Sequence, residues 1–108
     1  MVIKLLVLRC TNIEISKEFY ELLGFGFKKE QHGKGPVHFA SDQNDFVLEL
    51  YPAKNNENDN IRLGFEIDNL LSKLERLKVL EEYEFNSTKV RVVADPDGRK
   101  IELYEKTP

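Results

Sequence analysis

Val47-Leu48-Glu49-Leu50-Tyr51 and Lys100-Ile101-Glu102-Leu103-Tyr104 are two strand-like runs that share the tripeptide Glu-Leu-Tyr, its copies 53 positions apart (102 − 49 = 53) in a chain of 108 residues. The spacing is close to half the chain, so the sequence reads as two copies of one supersecondary unit. A unit of that size cannot bury its own sheet face and is stabilised by packing on its twin, and the seam between copies is a natural cleft. Side chains alternate along a strand, which sets Val47, Glu49 and Tyr51 on one face and Leu48 and Leu50 on the other. Lys100, Glu102 and Tyr104 likewise oppose Ile101 and Leu103. The apolar faces must meet helices, so Glu49 and Glu102 are expected to look into the cleft.

Working outward, Val2 to Leu8 is apolar apart from Lys4 and predicts a first strand covered on both faces, central in its sheet. Thr11, with Glu14 three residues later, has the form of a capping box. Ile15, Phe19, Leu22 and Leu23 then follow helical spacing, and Gly24 supplies the stop. Phe25 to Gln31 and Val37 to Ser41 read as strands joined by His32-Gly33-Lys34-Gly35-Pro36, and Phe46 to Tyr51 pairs back after a polar turn. Pro52 ends that strand, and the polar, asparagine-rich residues 53–60 read as a linker. In the second copy Ile61, Leu63, Phe65 and Ile67 alternate with Arg62, Gly64 and Glu66 in a period-two strand. Asp68 is placed to cap a shorter helix carrying Leu70, Leu71, Leu74 and Leu77. A weak strand over 82–85, a strong one over 89–93, the turn Asp95-Pro96-Asp97-Gly98 and a last strand over 100–105 complete the unit. The expected organisation is one α+β domain over 1–108, with a βαβββ module at 1–52, a linker at 53–60 and a second βαβββ module at 61–108, the two forming a curved mixed sheet.

Composition sets outer bounds. Hydrophobic residues make up 41% and charged residues 32% of the chain, ordinary for a globular protein, and no apolar run approaches the roughly 20 residues a membrane span needs. Met1-Val2-Ile3 enters a strand without the layout of a signal peptide, so a cytoplasmic location is expected. Cys10 is the single cysteine, which precludes an internal disulfide and reads first as a small buried hydrophobe. A net charge of −3 with interspersed signs gives no basic face for nucleic acid.

Three segments carry a family likeness: Phe19-Tyr20-Glu21-Leu22-Leu23-Gly24-Phe25, Leu48-Glu49-Leu50-Tyr51, and Asp95-Pro96-Asp97-Gly98-Arg99-Lys100-Ile101-Glu102-Leu103. In this order, around this duplication, the chain resembles the vicinal-oxygen-chelate superfamily of glyoxalase I, bleomycin-resistance proteins and extradiol dioxygenases. The resemblance implies the glyoxalase/bleomycin-resistance fold. It also implies four strand positions that in metal-using members hold the ligands, here Leu5, Glu49, Arg62 and Glu102. Leucine has no donor atom, and a guanidinium is not deprotonated at usable pH, so two of the four cannot hold a cation. Two carboxylates alone make a poor transition-metal site. The expectation is therefore no metal and no other cofactor, a divalent ion being the less favoured alternative, with Arg62 standing in the place of the metal between Glu49 and Glu102.

The ligand-facing set expected on this reading is Leu5, Arg9, His38, Tyr51, Arg62, Glu66 and Tyr104, with Glu49 and Glu102 as the acid–base candidates. His38 is either a packed strand histidine or a displaced ligand beside Glu49, and His32 lies in the glycine-rich turn. Three functions follow as alternatives. The first is a metal-independent binder of a small organic molecule in the cleft. The second is a metal-dependent lyase, isomerase or dioxygenase using Glu49 and Glu102. The third is a sheet face that simply dimerises. A homodimer is expected in each case, since a twofold partner covers open sheet edges.

Overall fold

Asn12 and Gly24 delimit the element on which the first module is built. In the computed structural model, which describes residues 1–55 and 59–106, α1 spans Ile13–Leu22, and the Asn12 side-chain oxygen accepts from the N–H groups of Glu14 and Ile15. The cap is thus Asn12 and not Thr11, because Asn12 takes the extended backbone an N-cap requires and puts its carbonyl within reach of two otherwise unpaired donors. At the other end Gly24 adopts φ 115°, its N–H bonding to the Glu21 carbonyl while that of Phe25 bonds to Tyr20. This paired closure needs a left-handed residue, which glycine supplies without Cβ strain. Asn12→Ala is expected to lower stability by about 1 kcal/mol, read as a fall in the urea midpoint at unchanged m-value.

The remaining elements are β1 (Leu5–Cys10), β2 (Lys28–Glu30), β3 (His38–Asp42), β4 (Val47–Pro52), β5 (Leu63–Ile67), α2 (Leu70–Lys73), β6 (Val79–Phe85), β7 (Thr88–Ala94) and β8 (Lys100–Glu105). They form two compact units, Met1–Asp59 and Asn60–Pro108. Each holds a four-stranded mixed sheet of the same topology, β1-β4-β3-β2 in the first and β5-β8-β7-β6 in the second. β1 runs parallel to β4 and β5 parallel to β8, the other pairs being antiparallel. These are the two βαβββ modules that the repeated tripeptide implies. Of the expected linker at 53–60, residues 56–58 lie outside the described residues.

Several local expectations change. β1 lies at one end of its sheet, not at its centre, because the β2–β3–β4 meander builds outward from the far side of β4; Val2, Ile3 and Leu5 are accordingly exposed. β2 is shorter than the expected 25–31 because the Phe25 N–H closes α1 and the ring is buried, edge-on to Tyr20 and stacked against Phe27. Asp68 does not cap α2; Asn69 precedes it in left-handed backbone with no side-chain cap. The helix is one short turn followed by a 3-10 turn over Leu74–Arg76, which leaves Leu71 exposed. β6 is longer than expected and meets β7 through Asn86-Ser87, both at positive φ (50° and 64°), the mirror-image turn that suits strand twist.

Alternation sorts the side chains as the sequence requires. Leu48, Leu50, Ile101 and Leu103 are fully buried, with Leu8, Phe39, Tyr20 and Leu23 joining the first core and Ile67, Leu70 and Val93 the second. Among the described residues, no helix is long and apolar enough to cross a membrane.

Candidate functional site

On the first module the face opposite α1 carries a cross-strand row assembled by register. Arg9 pairs with Tyr51 on β4 and His38 with Glu30 on β2. Phe39 pairs with Leu50, so the antiparallel ladder brings His38 beside Tyr51. The side chains follow the ladder. The Arg9 guanidinium lies 5.1 Å from the centre of the Tyr51 ring, and Tyr51 stacks on His38 with centroids 4.1 Å apart and planes 11° from parallel. His38 Nε2 is 3.3 Å from the Tyr51 hydroxyl, 3.3 Å from Glu30 Oε1 and 3.8 Å from Glu49 Oε2. His32 completes the group, its ring 5.2 Å from that of His38 and its Nε2 3.6 Å from Glu30 Oε1.

His38 is buried, and its other nitrogen is also engaged. Nδ1 lies 3.2 Å from the Pro36 carbonyl oxygen. A carbonyl only accepts, so Nδ1 donates to Pro36, and Nε2 is the nitrogen turned toward the two carboxylates and the Tyr51 hydroxyl. Beside this row an open hollow of about 510 Å³ is lined by Lys28, Glu30, Ala40, Asp42, Val47 and Glu49, with Gly26 at its edge. All belong to the same sheet face, as parity demands.

The second module uses its equivalent face differently. Arg62, just before β5, donates from Nε to Glu102 Oε2 at 2.7 Å. The Tyr83 hydroxyl donates to Glu102 Oε1, so both carboxylate oxygens are engaged. Glu102 in turn raises the Arg62 guanidinium above its ordinary pKa, chiefly through the Nε hydrogen bond. The Tyr104 ring lies over Gly64, where an added Cβ would meet Cε2 at 3.0 Å. A side chain at position 64 would therefore press the ring aside by a few tenths of an ångström.

The expected site residues fall into two sets. Arg9, His38, Glu49 and Tyr51 cluster on the first module, while Leu5, on the same face by parity, is largely exposed at the strand end. Arg62, Glu102 and Tyr104 neighbour one another on the second, and Glu66 is exposed at the strand position paired with Tyr104. Glu49 sits beside His38 on the first module, and the carboxylate that Arg62 engages is Glu102. Cys10 is buried, its thiol directed at the Leu8 carbonyl. Sequence reasoning missed Glu30 and Tyr83 and left His32 without a role. Glu30 was within reach: it shares parity with Lys28 on a strand that must pair with His38. Tyr83 lay in a segment too weakly patterned to give its register.

Of the four positions that the resemblance singles out, two carry side chains that are not metal ligands. Leu5 offers no donor atom, and Arg62 brings a cation of its own to Glu102.

No protein-family model matches the sequence, and no curated protein matches it. Solved structures do share the fold. A lactoylglutathione lyase from Agrobacterium tumefaciens aligns at 14% identity and a TM-score of 0.69, over 94% of this chain and 91% of its own. TnmS3, an antibiotic binding protein from a Streptomyces species, aligns at 22% identity and a TM-score of 0.72, over 99% and 97% of the two chains. A glyoxalase/dioxygenase from Nostoc punctiforme aligns at 17% identity and a TM-score of 0.69, over 96% and 90%. The chain therefore has the vicinal-oxygen-chelate fold, built from two βαβββ modules.

Proposed function

We propose that this protein binds a small organic molecule on the open face of its first module, without a metal at the superfamily's four-strand position. The observation that carries the reading is the pairing of the 510 Å³ hollow with a ready-made row of polar and aromatic groups along one side of it. A volume in the range of small-molecule sites, with Lys28, Glu30, Asp42 and Glu49 on its lining and the Tyr51–His38 stack adjoining it through Glu30 and Glu49, suits a ligand with polar handles and a planar part that reaches the stack. Lys28 offers a cation to an acidic handle, while Glu49 and Asp42 accept from hydroxyls or amines. That an antibiotic binding protein has the same fold agrees with this reading. On the second module Glu102 serves as a neutralised partner of Arg62 rather than a general base, because Tyr83 and Arg62 already occupy its oxygens. A homodimer belongs to the same proposal, since Val2, Ile3 and Leu5 leave an apolar margin along β1, as does a cytoplasmic setting for the single buried thiol.

Calorimetric titration with a panel of small planar carboxylates, phenols and amines tests it. One class is expected to saturate at one molecule per chain, and Tyr51→Ala to weaken that binding by about tenfold, near the upper end of what one aromatic stack contributes. Binding that is indifferent to Tyr51, or an absence of saturation across the panel, counts against the reading.

A further inference from the structure

Glu30, His32 and His38 bring one donor atom each to within 4.8 Å of one another on the first module. None of the three stands at a four-strand position of the superfamily. We propose that they form a binding site for a divalent first-row transition metal, zinc by preference, with a coordination position left open toward Glu49 and the adjoining hollow.

The donor set has the right chemistry and spacing. Two imidazoles and a carboxylate are the ligand types of zinc sites that keep an open position. Zinc bonds of about 2.0–2.1 Å in tetrahedral arrangement put neighbouring donors roughly 3.3–3.4 Å apart. The His38 Nε2 to Glu30 Oε1 edge is 3.3 Å and the His32 Nε2 to Glu30 Oε1 edge 3.6 Å. His32 is exposed and sits in a turn containing Gly33 and Gly35, so the remaining edge closes by a small movement of the one ligand free to make it. His38, by contrast, is fixed. It is buried, stacked on Tyr51, and held at Nδ1 by the Pro36 carbonyl, the outer hydrogen bond that orients metal-binding histidines and commits their tautomer.

The surroundings of His38 Nε2 suit a cation. Glu30 Oε1, Glu49 Oε2 and the Tyr51 hydroxyl all lie within 3.8 Å of it. A metal ion seated there would be shared by Glu30 and His38 and reached by His32, whose Nε2 is 3.6 Å from the same Glu30 oxygen. The sequence signal is Glu30-Gln31-His32 followed by His38 across a glycine turn, which antiparallel pairing of β2 with β3 folds into one cluster.

The test is metal binding by the tag-free chain. Zinc is titrated against a chromogenic chelator, and cobalt is added in parallel for its visible absorption bands, which strengthen in a four-coordinate N/O site. The expected result is one ion per chain. His32→Ala, an exposed change that leaves the core intact, is expected to weaken binding by at least about 100-fold, since losing a group that merely orients a ligand already costs roughly 10–100-fold. Glu30→Gln is expected to do the same, with circular dichroism confirming the fold, and Glu102→Gln on the other module to leave zinc affinity unchanged. The proposal is overturned if zinc fails to saturate at one per chain, if His32→Ala binds as wild type, or if Glu102→Gln weakens binding as much as His32→Ala. Calorimetry with organic ligands in chelator-treated buffer separates this outcome from that of the small-molecule reading.

Discussion

Asp95→Ala is expected to lower the stability of the chain by about 3–5 kcal/mol, the range for removing one partner of a buried ion pair. Asp95 and Arg99 have almost no side-chain exposure, and Arg99 Nη1 lies 2.9 Å from Asp95 Oδ2. The other carboxylate oxygen, Oδ1, accepts the backbone N–H groups of Asp97 and Arg99, both at 2.9 Å. One side chain therefore ties the whole turn between β7 and β8, while the Asp95 N–H bonds to the Arg99 carbonyl and Gly98 adopts the positive φ of 86° that closes the loop. Alanine removes two acceptors and leaves a guanidinium buried, with Asp97 at 3.6 Å as a more distant carboxylate. With total stabilities of about 5–15 kcal/mol, a loss of that size removes a large fraction of the whole. Urea denaturation of the wild type, Asp95→Ala, Asp95→Asn and an Asp95→Ala/Arg99→Met double variant checks the cause. Asn keeps the Oδ1 acceptor and is expected to fall between wild type and Ala. The double variant, which also removes the buried guanidinium, is expected to recover part of the loss. Equal destabilisation of the single and double variants would remove the buried charge from the explanation.

This turn also shows where sequence reading stops. Asp95-Pro96-Asp97-Gly98 was legible as a turn from its residue types, yet the burial of Arg99 was not, since an arginine beside a turn is ordinarily solvated. The modular plan was legible because the Glu-Leu-Tyr repeat and strict alternation fix which faces of β4 and β8 are apolar. The end position of β1 was not, because a run apolar apart from Lys4 is equally consistent with a central strand and with one at the margin of its sheet. In the candidate site, strand parity and the family resemblance set Arg62 on one face with Glu49 and Glu102 alike, and which carboxylate it engages, Glu102, was not legible. The cluster at Glu30, His32 and His38 has no counterpart in the second copy, so the symmetry that revealed the fold gave no guide to it. Its residues meet through the register of a three-residue strand whose ends depend on where Phe25 turns inward. A slip of one residue there would turn Glu30 to the other face of the sheet, away from His38.

Leu50→Ala and Leu103→Ala, the middle residues of the two repeated tripeptides, are each expected to lose about 2–5 kcal/mol, the cost of a large-to-small change at a site too well packed to collapse. Both leucines are fully buried. Each lies on the strand that its module's first strand joins in parallel, Leu50 opposite Leu8 and Leu103 opposite Phe65, so each truncation opens a cavity between a helix and the centre of its own sheet. At roughly 4–8 °C per kcal/mol for a domain of this size, melting temperatures should fall by about 10 °C or more. The pair also asks whether the two units share one folding transition. A βαβββ unit leaves one sheet face open and is small for an independent domain, which favours joint unfolding, in which either variant shifts every probe together. Hydrogen exchange followed amide by amide distinguishes the cases. If Leu103→Ala accelerates exchange across β5–β8 while the amides of β3 and β4 keep their wild-type protection, the units open separately, and the duplication has preserved two cores rather than making one.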